Sequence, residues 1–238
     1  MSSHSLPDTH HGFFITGTDT GVGKTLVSCG LLRAAAARGL RAVGMKPVAA
    51  GAERSGETWI NEDVVALRAA GNVDAPASEV NPYCFAPPIA PHIAAAEAGV
   101  AVDLAVIARA YEALRRRADL VVVEGAGGFL VPLGPALDMG HLALRLGLPV
   151  VLVVGMRLGC INHALLTAHA IRTHGSALAG WVANHVDPHM AHGDANVAEL
   201  ACRLGAPLLA RVPYGADPDV IAATVDAGTL LAGARHMP

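Results

Sequence analysis

The chain has 238 residues, of which 53% are hydrophobic and 16% charged, with a formal net charge of −3 at pH 7. That length suits one α/β domain with a large core and is too short for two comfortable ones, while the charge leaves no electrostatic footprint for nucleic acid. No apolar run reaches membrane-spanning length without a charge, Pro or Gly cluster, so no membrane partner is expected and the apolar excess belongs to buried strands and Ala-rich helices.

The start, MSSHSLPDTHH, lacks the charged and apolar regions of a signal peptide and reads as a disordered tail over residues 1–11. A single domain is expected over residues 12–238. Cys29, Cys84, Cys160 and Cys202 are far apart, with no CxxC pair, as in a reduced, cytoplasmic protein.

From Phe13 to Thr25 the chain reads FFITGTDTGVGKT: a short apolar strand, a turn dense in Gly, Thr and Asp, then Gly23-Lys24-Thr25. An Ala-rich helix follows from Leu26 to Ala37. Strand, Gly-rich turn, Lys-Thr and helix make a phosphate-binding loop, with backbone N–H groups converging on a polyphosphate. The Gly-Lys-Thr ending argues against an ordinary turn that merely contains glycines. Where the common pattern has its first Gly the chain has Thr18, and Gly17 lies one residue further out, which marks a stretched variant. Lys24 supplies a point charge to the outer phosphates, and the Thr25 hydroxyl suits Mg²⁺.

Arg41 to Met45 reads as a short strand ending at Lys46. The segment Val48 to Thr58 is rich in Gly, Ala and Ser and is expected to be a mobile loop. Asn61 is placed to cap a helix through about Ala70, with Glu62 and Asp63 in its first turn. Pro76 to Pro91 holds several prolines and is expected to be irregular and extended, a stretch more in keeping with binding than with filler. Asp103 caps a helix that ends in Arg115-Arg116-Arg117.

Leu120 to Val123 is a central parallel strand that ends in Glu124 and runs into Gly125-Ala126-Gly127-Gly128. The carboxyl edge of such a strand is where ligands bind in open α/β sheets. Val150 to Val154 is a second such strand, followed by a helix from Cys160 to His174. Leu178 to Ala183 and Leu208 to Val212 are further strands, ending at Asn184-His185 and Pro213-Tyr214. Alternation of strands and helices gives a P-loop NTPase-type parallel sheet with helices on both faces. Thr25, Asp63 and Glu124 form a hard oxygen set for Mg²⁺, although an acid in a helix's first turn, such as Asp63, is also common without a metal. His185, Asp187, His189, His192 and Asp194 crowd one loop, which reads as solvated and not as a metal site.

The blocks GTDTGVGKT, GMKPVAAG, NPYCFAPPIAPH, VVVEGAGG, VVGMRLGCINHALLT and GWVANHV, in this order, resemble the dethiobiotin synthetase family of the biotin pathway from about Phe13 to Tyr214. The resemblance implies an ATP- and Mg²⁺-dependent cyclo-ligase acting on 7,8-diaminopelargonate and CO₂. It implies catalytic roles for Thr20, Lys24 and Lys46, and a metal set of Thr25, Asp63 and Glu124. The nucleotide would lie on Gly17, Asp19, Gly21, Val22, Gly23, Lys24, Thr25 and Leu26. Asn184 would read the base, beside the backbone of Pro213, Tyr214 and Gly215. Gly127 would meet the substrate, and its carboxylate would lie on Gly159, Cys160, Ile161 and Asn162 of a second subunit, so a homodimer with shared sites is implied. The chain departs from the family pattern at Ala50, where a Ser is usual, and at His141 and His185, where Asp is common. The rival reading is a partition-type regulatory ATPase; against it, Asp19 stands where those proteins carry an early lysine, and the tail after Asp226 offers no amphipathic helix.

Overall fold

A computed structural model describes residues 11–56 and 58–225. In chain order come β1 (His11–Gly17), α1 (Lys24–Ala37), β2 (Ala42–Met45), β3 (Val48–Ala50), β4 (Glu53–Ser55), β5 (Thr58–Ile60), α2 (Glu62–Ala70) and α3 (Ala77–Val80). Then follow β6 (Tyr83–Phe85), α4 (Pro91–Glu97), α5 (Leu104–Arg115), β7 (Leu120–Gly128), α6 (Met139–Leu146) and β8 (Val150–Met156). The described chain closes with α7 (Cys160–Thr173), β9 (Leu178–His185), α8 (Gly193–Arg203), β10 (Leu208–Val212) and α9 (Pro218–Thr224).

Six strands form one sheet in the order β10-β9-β8-β1-β7-β2, parallel throughout. The period of two along each strand divides the core between two faces. Phe13, Ile15, Val122, Val151 and Val153 face α1, α2 and α9. Phe14, Val121, Val123 and Val150 face α5 and α6, while Leu152, Val154 and Trp181 continue that face under α7 and α8. Both faces are thus covered, which is why the central strands read as unbroken apolar runs.

Helix starts fall into two kinds. Asn61, Asp103, Asp138 and Asp217 each accept hydrogen bonds from amides of the helix they open, satisfying donors that would otherwise be orphaned. By contrast, α1 and α7 begin after Gly23 and Gly159, at φ of 90° and 94°, with no side-chain cap. At α7 the Cys160 amide donates to the Arg157 carbonyl at 3.0 Å, and the amides of Ile161 and Asn162 after it have no side-chain cap.

Three expectations need correction. The segment read as a mobile loop carries β3, β4 and β5, because Val48 pairs with Tyr83 in a small parallel sheet and Arg54 pairs with Trp59 in a hairpin. The proline-rich stretch is not wholly irregular; it holds α3 and β6, and Pro91 opens α4 at a position where its missing N–H costs nothing. His11, assigned to the tail, begins β1 through its backbone pairing with Leu120. Residues 1–10 of the expected tail and the segment after Val225 lie outside the described residues.

Candidate active site

Strand register brings the main charges together. Met45 of β2 pairs with Val123 of β7, so Lys46 and Glu124 lie side by side where β2 ends. Ile15 pairs with Glu124 on the other flank, placing the loop after β1 against the same acid. The Lys46 ammonium donates to Glu124 Oε1 at 2.6 Å and to Asp63 Oδ2 at 2.7 Å. Lys46 is 4% exposed and Glu124 is fully buried. Burial alone would lower the Lys46 pKa, but the carboxylates of Glu124 and Asp63 outweigh it and raise it. Burial likewise opposes ionisation of Asp63, and the Lys46 charge overcomes it and holds the carboxyl below its ordinary value.

Thr25, the second residue of α1, lies between the two acids. Its hydroxyl is 2.8 Å from Asp63 Oδ1 and 2.8 Å from Glu124 Oε1. One hydroxyl proton cannot serve both oxygens. Glu124 Oε2 is buried and has no hydrogen-bond partner among the described residues. Three hard oxygens with surplus negative charge therefore converge on one point.

Lys24 approaches from the loop side and donates to the Asp19 carbonyl at 3.0 Å. Burial pushes its ammonium down to about 8; the charge of Lys46 adds to the fall, while Glu124, Asp63 and Asp19 oppose it. The loop itself is tightly braced. Asn184 Nδ2 donates to the Val22 carbonyl at 2.8 Å, and a Cβ on Gly23 would come within 2.2 Å of that nitrogen. Asp19 accepts from Arg157 at 2.6 Å and from the Thr20 amide at 2.7 Å. Val22 is buried under Gly155, where a Cβ would approach it to 2.7 Å.

The cleft above these charges is lined by Thr20, Gly21, Gly23, Lys24, Thr25, Lys46, Asp63, Glu124 and Gly127 from the expected set. Gly17, Asp19, Val22 and Leu26 shape the loop without lining the cleft. Gly159, Cys160, Ile161 and Asn162 stand outside it, as do Asn184, Pro213, Tyr214 and Gly215. Pro88, Ile89, Ala90 and Pro91, in the stretch expected to serve binding, form a wall of this cleft, joined by Ala126 and Val131, which sequence reasoning did not single out. Sequence reasoning also missed Arg157. The crowded histidines 185, 189 and 192 form no metal-ligand group among the described residues.

The chain matches the AAA domain family model (AAA_26) over residues 11–221. The ATP-dependent dethiobiotin synthetase BioD of Aromatoleum aromaticum is 56% identical over 215 residues, covering 90% of this chain and 96% of that protein. The BioD of Nitrosospira multiformis is 57% identical over 87% of this chain and 90% of its own. This chain belongs to the ATP-dependent dethiobiotin synthetase family. Dethiobiotin synthetases are ligases, so the chain is an enzyme of that class. Among solved structures, the MinC:MinD cell division protein complex of Aquifex aeolicus superposes with a TM-score of 0.56 at 14% identity, covering 94% of both chains. A ParA family ATPase of Chlorobium tepidum gives 0.53 at 12%, covering 97% of this chain and all of the other. Those likenesses show the P-loop fold alone, which the dethiobiotin synthetases share with partition-type ATPases.

The buried pair yields a stability prediction. Lys46→Met leaves Glu124 as an uncompensated buried acid and is expected to cost about 3–5 kcal/mol in denaturant unfolding. Adding Glu124→Gln should recover part of that loss, because the double variant buries no unpaired charge. Strictly additive losses would show that the two groups are not coupled.

Proposed function

We propose that the chain closes the cyclic urea of dethiobiotin from 7,8-diaminopelargonate and CO₂ at the expense of ATP, in the cytoplasm. One amine and CO₂ form a carbamate with loss of a proton. The γ-phosphoryl group of ATP passes to a carbamate oxygen, giving a carbamic–phosphoric anhydride and ADP. The second amine attacks the carbonyl carbon, loses its proton, and the C–O bond to phosphate breaks. The observation that carries this reading is the convergence of Lys24, Lys46 and the Thr25–Asp63–Glu124 oxygens on one cleft floor.

The oxygen set fits Mg²⁺: a hydroxyl and two carboxylates are hard donors, and the shared Thr25 proton and the orphaned Glu124 Oε2 are what a divalent cation would relieve. Bound to Thr25, Asp63 and Glu124, Mg²⁺ would neutralise charge on the phosphates. The chain's own residues do the rest. Gly21 and Gly23, at φ of 73° and 90°, turn loop N–H groups toward the phosphates. Lys24 and Lys46 hold two anionic reactants together and stabilise charge that shifts during phosphoryl transfer. Both are preorganised by burial, so little rearrangement is needed at the moment of reaction. Gly127 leaves the floor open beside Thr20, whose Oγ1 a Cβ there would approach to 3.5 Å. Asn184 would offer its amide to the adenine while bracing Val22, next to the turn at Pro213–Gly215.

The start of α7 belongs to a shared site in this reading. Its uncapped amides stand outside the cleft of their own subunit, and Leu158 just before it is 96% exposed. A neighbouring subunit in a homodimer would present its substrate carboxylate to Gly159, Cys160, Ile161 and Asn162, as suits a helix N-terminus.

Phosphate release from ATP is expected to depend on the diamine and to match urea-ring formation mole for mole. Strong ATP hydrolysis without the diamine, stimulated instead by DNA or lipid, would favour the partition-type reading. A mixing experiment examines the shared site. Asn162→Glu repels the substrate carboxylate while suiting the helix dipole, and Lys24→Ala empties the phosphate loop of its cation. Each variant alone should be nearly inactive, and exchanged mixtures should regain activity through one hybrid site with both halves intact. Hybrid dimers without recovered activity would disprove sharing.

A further inference from the structure

Three side chains that the proposed reaction does not use meet where α6 begins and α7 ends: Asp138, His141 and His174. Asp138 caps α6, with Oδ1 accepting from the His141 amide at 2.9 Å. The same oxygen lies 2.8 Å from His141 Nδ1, and Oδ2 lies 3.4 Å from His174 Nε2. One ligand atom from each residue falls within 4.8 Å of the other two.

His174 is held from behind. Its Nδ1 is 3.2 Å from the Ala170 carbonyl oxygen, which can only accept, so a neutral ring carries its proton on Nδ1. The Nε2 lone pair then faces the Asp138 carboxylate at 3.4 Å, and either a second ring proton or a metal ion between the two acceptors satisfies both. A histidine whose second nitrogen donates to a backbone carbonyl is the usual arrangement of a metal ligand. Phe129 packs edge-on against the ring at 5.5 Å, and a Cβ on Gly140 would come within 2.9 Å of His174 Cδ2. His174 is therefore fixed, while the His141 side chain is 45% exposed and held by its contact with Asp138 and by the His174 ring, edge-on at 5.2 Å.

We propose that Asp138, His141 and His174 bind a divalent transition-metal ion of the zinc class, with solvent completing the shell. Two imidazoles and one carboxylate are a donor set for Zn²⁺ and not for the oxygen-seeking Mg²⁺ of the cleft. Tetrahedral bonds of about 2.0–2.1 Å space ligand atoms roughly 3.3 Å apart; Asp138 Oδ2 and His174 Nε2, at 3.4 Å, lie close to that value, while the 2.8 Å from Oδ1 to His141 Nδ1 is a hydrogen-bond distance that an ion would lengthen. Rotation of His141 closes the third side. The ion would tie α6 to α7 and pin the segment that leads to the cleft, since Pro132 bridges to Asp138 and the Met139 amide donates to Val131 at 3.1 Å. Val131 itself lines the cleft.

The test is a Zn²⁺ titration of the chelator-stripped, full-length protein in excess Mg²⁺, followed by calorimetry and by NMR of histidine ring nitrogens. One equivalent is expected to move the His141 Nδ1 and His174 Nε2 resonances together. His141→Ala and His174→Ala should each weaken that equivalent by at least the roughly 10–100-fold that loss of an outer-sphere partner costs. Zn²⁺ that leaves both rings unmoved, or folded variants that bind it as the wild type does, would overturn the proposal. Should a variant fail to fold, the ring resonances of the wild type decide alone.

Discussion

Glu124 has no exposure to solvent, and a carboxylate so placed stays charged only beside a cation that shares its burial. Lys46 is that cation, and the 2.6 Å contact between them sets the terms for the whole carboxyl edge. The pair exists because β2 lies against β7 in one register, Met45 opposite Val123. A slip of one residue would turn Glu124 to the opposite face and leave Lys46 without its partner. Asp63 and Thr25 then complete the group from α2 and α1, so two helices and two strands meet at a single charged point.

That point also explains why parts of the surroundings are rigid. Asn61 both caps α2 and donates to the Ala50 and Gly51 carbonyls, at 3.3 Å each, fixing Asp63 at the helix start. Asn184 and Arg157 brace the phosphate loop from β9 and from the segment before α7. In the phosphoryl transfer proposed above, whose two partners, ATP and a carbamate, would both be anionic, pre-positioned charge is worth most, because no dipole has to be turned as the group moves. Lys24, with its ammonium pushed down to about 8, is still mostly charged at neutral pH but held less firmly so than Lys46; a polyphosphate on the loop would hold its proton more tightly.

How much was legible in the sequence follows the range of the interactions involved. The phosphate loop, the Asn61 and Asp103 caps and the apolar strand from Leu120 are local patterns, and the structure reproduces them, with α1 starting two residues early at Lys24 and β7 running past Glu124 to Gly128. The strands β3, β4 and β5 have three residues each, and only pairing with a distant or adjacent partner makes them strands, so composition alone reads them as loop. The helix α6 had its signals, Asp138 before it and Gly147 after it, but they were hidden inside a block read for its departures from a family pattern. His174 and Asp138 are separated by 36 positions in the chain and meet only because the C-terminal end of α7 comes up against the start of α6, which no spacing rule discloses. The wall of the cleft from Pro88 to Pro91 lies in the proline-rich stretch expected to serve binding, although no spacing there says which residues face the cleft.

If Glu124 holds a metal ion, as proposed, it is more than the structural partner of Lys46. Mg²⁺ titration of turnover in Glu124→Gln, at saturating ATP and diamine, measures this most directly. The amide keeps the shape and the hydrogen bonding of the side chain and removes the charge that a hard cation needs. The account predicts a Mg²⁺ requirement shifted to higher concentration, with activity recovering as Mg²⁺ is raised. A folded variant whose Mg²⁺ titration matches that of the wild type would contradict it and leave Glu124 a structural acid.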